Sequence, residues 1–157
     1  MKTLKIIAAC ALFSLGYLYS AAQEELPING EPNYNKPKIF ADLPQKMNIT
    51  ISDIESLFDL SVGIPVMAKL TKSFPFKGTI VSKSGDATTP VRSVVIKSTT
   101  NTRLGAVLTL TKIRKDDGSY VYRGRILSRE SSDAYEIANE NGGYVLQKKN
   151  YYEMVRE

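Results

Sequence analysis

Apolar and polar residues alternate through much of the second half of the chain. Between Arg92 and Arg129, three segments rich in β-branched and aromatic residues are separated by short polar stretches. Their centres read Val-Val-Ile, Val-Leu-Thr-Leu-Thr and Tyr-Val-Tyr-Arg-Gly-Arg-Ile-Leu. Segments of this composition joined by turn residues are typical of an antiparallel β-meander.

The last two of these segments form a hairpin whose register can be predicted. A two-residue loop at Asp117 and Gly118 would place Lys112 opposite Arg123, and facing like charges are unfavourable. A three-residue loop, with Gly118 in the left-handed conformation after Asp116 and Asp117, shifts the pairing by one residue. We therefore predict the pairs Leu108–Ile126, Leu110–Gly124, Lys112–Tyr122, Thr109–Arg125 and Thr111–Arg123.

A short helix is predicted before the strands. Ser52-Asp53-Ile54-Glu55 has the pattern of a capping box, in which the serine caps the helix and the glutamate reaches back to it. Apolar residues at 54, 57 and 58 would then lie on one helical face and pack on the sheet, with the helix ending before Gly63. The formal glycosylation sequon that begins at Asn48 carries little information by itself.

Further strands are predicted on both sides of the meander. Segments 66–72 and 76–83 precede it, with a turn region at 85–90. After it, a hairpin with Asn141-Gly142 as its turn is expected. The first arm of that hairpin, 132–139, is predicted as a strand, with a helical turn as the alternative. Asn150 would cap a short C-terminal helix.

The expected fold class is therefore mainly β, a β-rich α+β arrangement. We expect a curved antiparallel meander, open or partly closed into a barrel, with a short helix before it and a short helix at the C-terminus. We expect three regions, namely a signal peptide at 1–22, an extended, proline-rich acidic tether at 23–47, and one β domain at 48–157.

The first 22 residues have the pattern of a secretory signal peptide. A basic start is followed by an uncharged apolar run, and Ser20-Ala21-Ala22 precedes the first acidic residue, Glu24. We therefore predict export to the periplasm or the extracellular space, with no transmembrane segment in the mature chain. The alternative is a lipoprotein anchored at Cys10, although the apolar run before that cysteine is short.

The predicted tether has no periodic pattern and contains four of the seven prolines. Ile39, Phe40 and Leu43 interrupt its polar composition. These residues either fasten the end of the tether to the domain, which we favour, or form a docking peptide for a partner.

The composition of the chain limits the catalytic groups and metal ligands that it can supply. The chain has no histidine, and cleavage after Ala22 would remove its one cysteine together with Lys2 and Lys5, lowering the formal net charge from +5 to +3. Such a mature chain would lack disulfides, an imidazole base, a thiolate nucleophile and nitrogen or sulfur metal ligands. We expect no enzyme activity, catalytic residue, metal or cofactor. The alternative is a hydrolase or lyase that uses the carboxylates of Asp133, Glu136 and Glu140.

A basic sheet face is the candidate binding site. Segments 76–83 and 122–129 resemble each other in a Gly-x-Ile-x-Ser pattern, either as a true repeat or as two equivalent strands. Alternation would place the basic residues of both on one face, opposite the aromatic residues. The candidate ligand-binding residues are Lys77, Lys83, Arg123, Arg125 and Arg129.

Arginine suits carboxylate, sulfate and phosphate groups, so an acidic ligand or an acidic partner surface is expected. The function predicted from the sequence is an exported, non-catalytic binding or accessory domain, such as an inhibitor-like module. Its partner would be another exported protein or an acidic component of the envelope, and nucleic acid is not expected. A structural component of the envelope is a further alternative, because a charged sheet face is often only a solvated surface.

Overall fold

Eight antiparallel strands form a single sheet in the computed structural model of the chain, which describes residues 35–103 and 105–154. From β2 to β8, each strand pairs with the next along the chain, and β1 pairs with β8. The sheet curls into a half-barrel. The strands are β1 Lys46–Ile49, β2 Pro65–Lys69, β3 Pro75–Ser84, β4 Val91–Ser98, β5 Val107–Arg114, β6 Tyr120–Leu127, β7 Asp133–Glu140 and β8 Gly143–Asn150.

The mainly β fold class is confirmed, and the register predicted for the β5–β6 hairpin is confirmed at all five pairs. The Gly118 N–H donates to the Lys115 carbonyl at 3.0 Å, and Gly118 has a φ of +80°. The second predicted hairpin is also present, because β7 is a strand and both Asn141 and Gly142 have positive φ angles. Turn chemistry therefore determines both hairpins.

Both predicted short helices are present, one before the predicted strands, although it follows β1, and one after the last strand. Helix α1, Ile51–Glu55, continues into a 3-10 turn at Ser56–Phe58. Helix α2, Tyr151–Met154, follows β8, and the Asn150 side chain accepts a hydrogen bond from the Tyr152 N–H at 2.9 Å. No helix in the two described stretches is long and apolar enough to cross a bilayer.

The prediction of a capping box at Ser52 and Glu55 is wrong. Helix α1 begins at Ile51, so Ser52 lies inside the helix, and Thr50 is the N-cap without a side-chain hydrogen bond. The carboxylate of Glu55 turns instead to the sheet, where it accepts hydrogen bonds from Lys112 and Tyr122. Glu55 therefore connects the helix to the sheet, because two sheet donors are available to its carboxylate.

The core lies between the inner face of the sheet and the helix. Ile54, Leu57 and Phe58 are buried there, as predicted from their helical spacing. Alternate residues of the central strands complete it, among them Ile80, Val94, Ile96, Leu108, Leu110, Ile126 and Tyr135.

The end of the predicted tether packs into this core. Phe40 is completely buried and makes an edge contact with Tyr135, and its N–H donates to an Asp133 carboxylate oxygen at 3.1 Å. Ile39 and Leu43 pack beside it. The prediction that these three residues fasten the segment to the domain is thus confirmed, although residues 35–45 form no helix or strand.

Strand β1 was not predicted, and it begins at Lys46, before the expected domain boundary. The predicted signal peptide and residues 23–34 of the predicted tether lie outside the described residues.

Candidate functional site

The outer face of the sheet carries parallel rows of side chains, because residues paired across antiparallel strands project to the same side. Ser93, Thr111 and Arg123 form one row across β4, β5 and β6. Thr109 and Arg125 lie in the next row, which Glu136 of β7 extends. On the other side of the first row lie Val91, Ile113 and Val121, which we call the apolar row.

A groove lies over these rows, and we call it the outer groove. Its lining includes both arginines and two residues of the apolar row. The outer-face side chains that line it are Thr109, Thr111, Ile113, Val121, Arg123, Arg125, Glu136 and Ala138.

The outer groove lies where β6 and β7 separate. These two strands pair only through Gly124–Ile126 and Tyr135–Ile137, although each strand is eight residues long. Beyond that point, the Tyr144 hydroxyl accepts a hydrogen bond from the Tyr122 N–H at 3.1 Å. A side chain from β8 thus substitutes for the missing strand pairing and closes the gap on the inner side of the sheet.

Gly124 allows the close packing at the start of this separation. A Cβ atom at this position would lie 2.7 Å from the Thr109 carbonyl oxygen and 2.9 Å from side-chain carbons of Leu110 and Ile137. Contacts this short require neighbouring atoms to move. The glycine thus lets β5 and β7 approach β6 just before β7 diverges.

Arg123 and Arg125 are exposed, and neither guanidinium forms a hydrogen bond or an ion pair with any other described residue. Glu136 lies opposite Arg125 in the register, yet among the described residues it forms no ion pair with that arginine. Side chains that alternate along one strand are about 6.8 Å apart. The groove therefore presents two available guanidinium groups on side chains whose backbone positions have that spacing.

The structure places the other three predicted binding residues elsewhere. Arg129 follows the end of β6, and its carbonyl accepts a hydrogen bond from Lys36 at 2.7 Å. Lys77 is on the outer face of β3, which β4 and β5 separate from β6, and it borders a different groove beside Asp42 and Arg103.

The expectation that Lys83 shares the outer face is wrong. The β3–β4 register shifts between Ile80 and Ser82, and Lys83 pairs with Val94, a completely buried residue of the inner face. One extra residue in a strand reverses the side to which every later side chain points. Lys83 therefore belongs to the side of the sheet on which α1 packs.

The two similar segments, 76–83 and 122–129, correspond to strands β3 and β6, which β4 and β5 separate. Gly78 of β3 has the same kind of close contact as Gly124, since a Cβ there would lie 2.4 Å from the Lys97 carbonyl oxygen. The two segments are thus equivalent in their glycine packing, whereas the bulge interrupts the equivalence after Ile80.

A second polar cluster lies on the inner face of the sheet, and it was not predicted from the sequence. The Glu55 carboxylate accepts a hydrogen bond from Lys112 at 2.8 Å and another from the Tyr122 hydroxyl. These donors, Lys112 first, hold the pKa of Glu55 below its ordinary value of 4.5. Burial and the nearby Glu55 charge raise the pKa of Tyr122. The sequence contained one indication of this cluster. Lys112 occupies an inward-facing position of β5, where a charged side chain requires an acidic partner.

The three carboxylates of the alternative enzyme hypothesis do not meet. Asp133 is buried and accepts hydrogen bonds from the Phe40 N–H and the Ser131 hydroxyl. Glu140 pairs with Lys46, and Glu136 lies on the outer face. Across the described residues, no group of three or more acidic side chains is arranged to hold a metal ion.

Comparison with known proteins yields no match to a family model, to a curated protein or to a solved structure.

Proposed function

We propose that this protein is an exported, non-catalytic binding domain that holds an anionic group of its ligand in the outer groove. The observation that supports this most directly is the pair Arg123 and Arg125, both exposed and both without a hydrogen-bonding or ionic partner among the described residues. A guanidinium group presents several N–H donors in a planar fork that matches carboxylate, sulfate and phosphate oxygens.

The surroundings of the arginines favour binding by surface contact. The partly buried Thr109 and Thr111 lie opposite them and offer hydroxyl groups beside the guanidinium groups. The Thr111 hydroxyl is already 3.0 Å from the Ser93 hydroxyl, which restricts its orientation. Few side chains would need to be ordered around Thr111 when an anion binds, which lowers the entropic cost of binding.

A salt-gradient experiment on immobilised polyanions tests this function. The purified protein is applied to a sulfated polysaccharide and to polyglutamate, and the eluting salt concentration is compared for two charge-matched variants. The first variant carries Arg123→Gln and Arg125→Gln. The second carries Lys77→Gln and Lys97→Gln, which removes the same charge from exposed positions on the same face outside the groove.

We expect the arginine variant to elute at clearly lower salt than the lysine variant, because only the arginines act together on one anion. Equal shifts for the two variants would mean that retention reflects net charge alone. Equal retention of both variants and the unmodified protein would likewise exclude the outer groove as an anion site.

A further inference from the structure

The outer groove combines two kinds of surface at regular spacing. Along β6, the outward-facing residues are Val121, Arg123 and Arg125 in succession. Val91, which is 46% exposed, and the partly buried Ile113 lie beside Val121 across the sheet. Along the β6 backbone, the apolar position therefore lies about 6.8 Å from Arg123, and Arg125 lies the same distance further on.

We propose that the occupant of the outer groove is an extended acidic segment of a partner protein, with the pattern apolar-x-acidic-x-acidic in one of the two chain directions. This inference rests on the proposed function and adds the class of ligand. In an extended chain, alternate side chains point to one side at the same spacing as those of β6. One apolar and two acidic side chains can therefore face the apolar row, Arg123 and Arg125 together.

Charge complementarity favours such a segment over a uniformly charged polymer. Glu136 lies directly beside Arg125 on the neighbouring strand, so a densely charged polymer that spread over β7 would meet a like charge, and the next outward row beyond Arg125, Leu127 with Val107, is apolar. In the other direction, the apolar row offers a charged group no hydrogen-bonding side chain. A ligand with acidic groups only over the two arginines avoids both penalties.

Short synthetic peptides test this proposal. Binding to the full protein is measured by fluorescence anisotropy for Val-Ser-Glu-Ser-Glu and for its reversed sequence, each flanked by serines. A composition-matched isomer, Ser-Val-Ser-Glu-Glu, has adjacent acids that point to opposite sides of an extended chain. A fourth peptide replaces the valine of Val-Ser-Glu-Ser-Glu with serine.

We expect at least one alternating peptide to bind about tenfold more tightly than the isomer, since the isomer loses one charge-assisted contact. Replacing the peptide valine with serine should weaken binding about fivefold in the unmodified protein. In a Val121→Thr variant, which keeps a β-branched residue in the strand, that difference should largely disappear. The variant that carries both Arg123→Gln and Arg125→Gln should bind none of these peptides measurably.

Two results would overturn the peptide inference and leave the anion site intact. One is equal, arginine-dependent affinity for the alternating peptide and its isomer. The other is arginine-dependent binding of a sulfated polysaccharide that is tighter than the binding of any of the peptides. If neither the peptides nor the polyanions bind, the proposed function itself is wrong, so the two failures can be distinguished.

Discussion

Tyr122 and Glu55 form a hydrogen bond between the sheet and the helix that packs against its inner face. Tyr122 is 6% exposed, and its ring meets Tyr144 edge-on with centroids 5.6 Å apart. Lys112 donates to the same Glu55 oxygen at 2.8 Å. Helix α1 is only five residues long, so these contacts rather than helix propensity hold it in place.

Removing the Tyr122 hydroxyl should therefore destabilise the domain. Tyr122→Phe deletes a donor to a charged acceptor and should lower the free energy of unfolding by about 1.5–3 kcal/mol, as for other hydrogen bonds to charged groups. Chemical denaturation of the two proteins measures this difference. Tyr120→Phe is the matched control, because Tyr120 is 47% exposed and should lose almost nothing. Equal losses in both variants would contradict the proposed role of the Glu55 contact.

The contribution of Glu55 should depend on pH. Its pKa is lower in the folded state than its ordinary value of 4.5, so the folded state favours the ionised form. The resulting stabilisation is fully present above the unfolded-state pKa and is lost as the pH falls through the folded-state pKa. Glu55→Gln should therefore be less stable than the unmodified protein near neutral pH, and the difference should shrink steadily below about pH 4.5. Denaturation at a series of pH values checks this, and a constant difference would contradict it.

Gly124 should not tolerate even a methyl group. Gly124→Ala would place a Cβ within 3 Å of three atoms in the flanking strands and should cost about 1–3 kcal/mol of unfolding free energy. Gly124→Leu, with a larger side chain, should cost more. Gly143→Ala is the control, because the nearest atom to its Cβ would be 3.6 Å away and its φ is not positive. Similar stabilities of the two alanine variants would show that the close contact is relieved at no cost.

Gly118 is constrained by its backbone conformation and not by space. A Cβ there would meet no atom within 4 Å, but the φ of +80° is unfavourable for a β-branched residue. Gly118→Val should therefore lower the free energy of unfolding by about 1–3 kcal/mol. Gly118→Asn should lose less, because asparagine adopts the left-handed region more readily. If valine and asparagine were equally tolerated, the predicted turn geometry would be of little energetic importance.

Local patterns were sufficient for much of the fold. The register of β5 and β6 followed from two facts. Gly118 can adopt the left-handed conformation that the three-residue turn requires, and Lys112 and Arg123 would repel each other in the alternative register. The Asn141-Gly142 hairpin followed in the same way. Both depend on residues close in sequence, where steric preferences act directly.

Other features depended on contacts between residues distant in sequence. The position of Glu55 fits the sequence pattern of a capping box. In the folded protein, however, its carboxylate accepts hydrogen bonds from Lys112 and Tyr122, which are both distant from it in the sequence. Strand β1 forms because Lys46–Ile49 lies beside β8, a pairing that its own four residues do not indicate.

For the candidate site, the sequence alone determined that Arg123 and Arg125 share a face with Thr109 and Thr111, because alternation within a hairpin is a local property. Only the tertiary structure decided that Lys83 faces inward, that Lys77 lies three strands away from the arginines, and that the separation of β6 from β7 opens a groove at the arginines. Bulges and strand separations arise where packing of the whole sheet outweighs local preference, so no single segment specifies them.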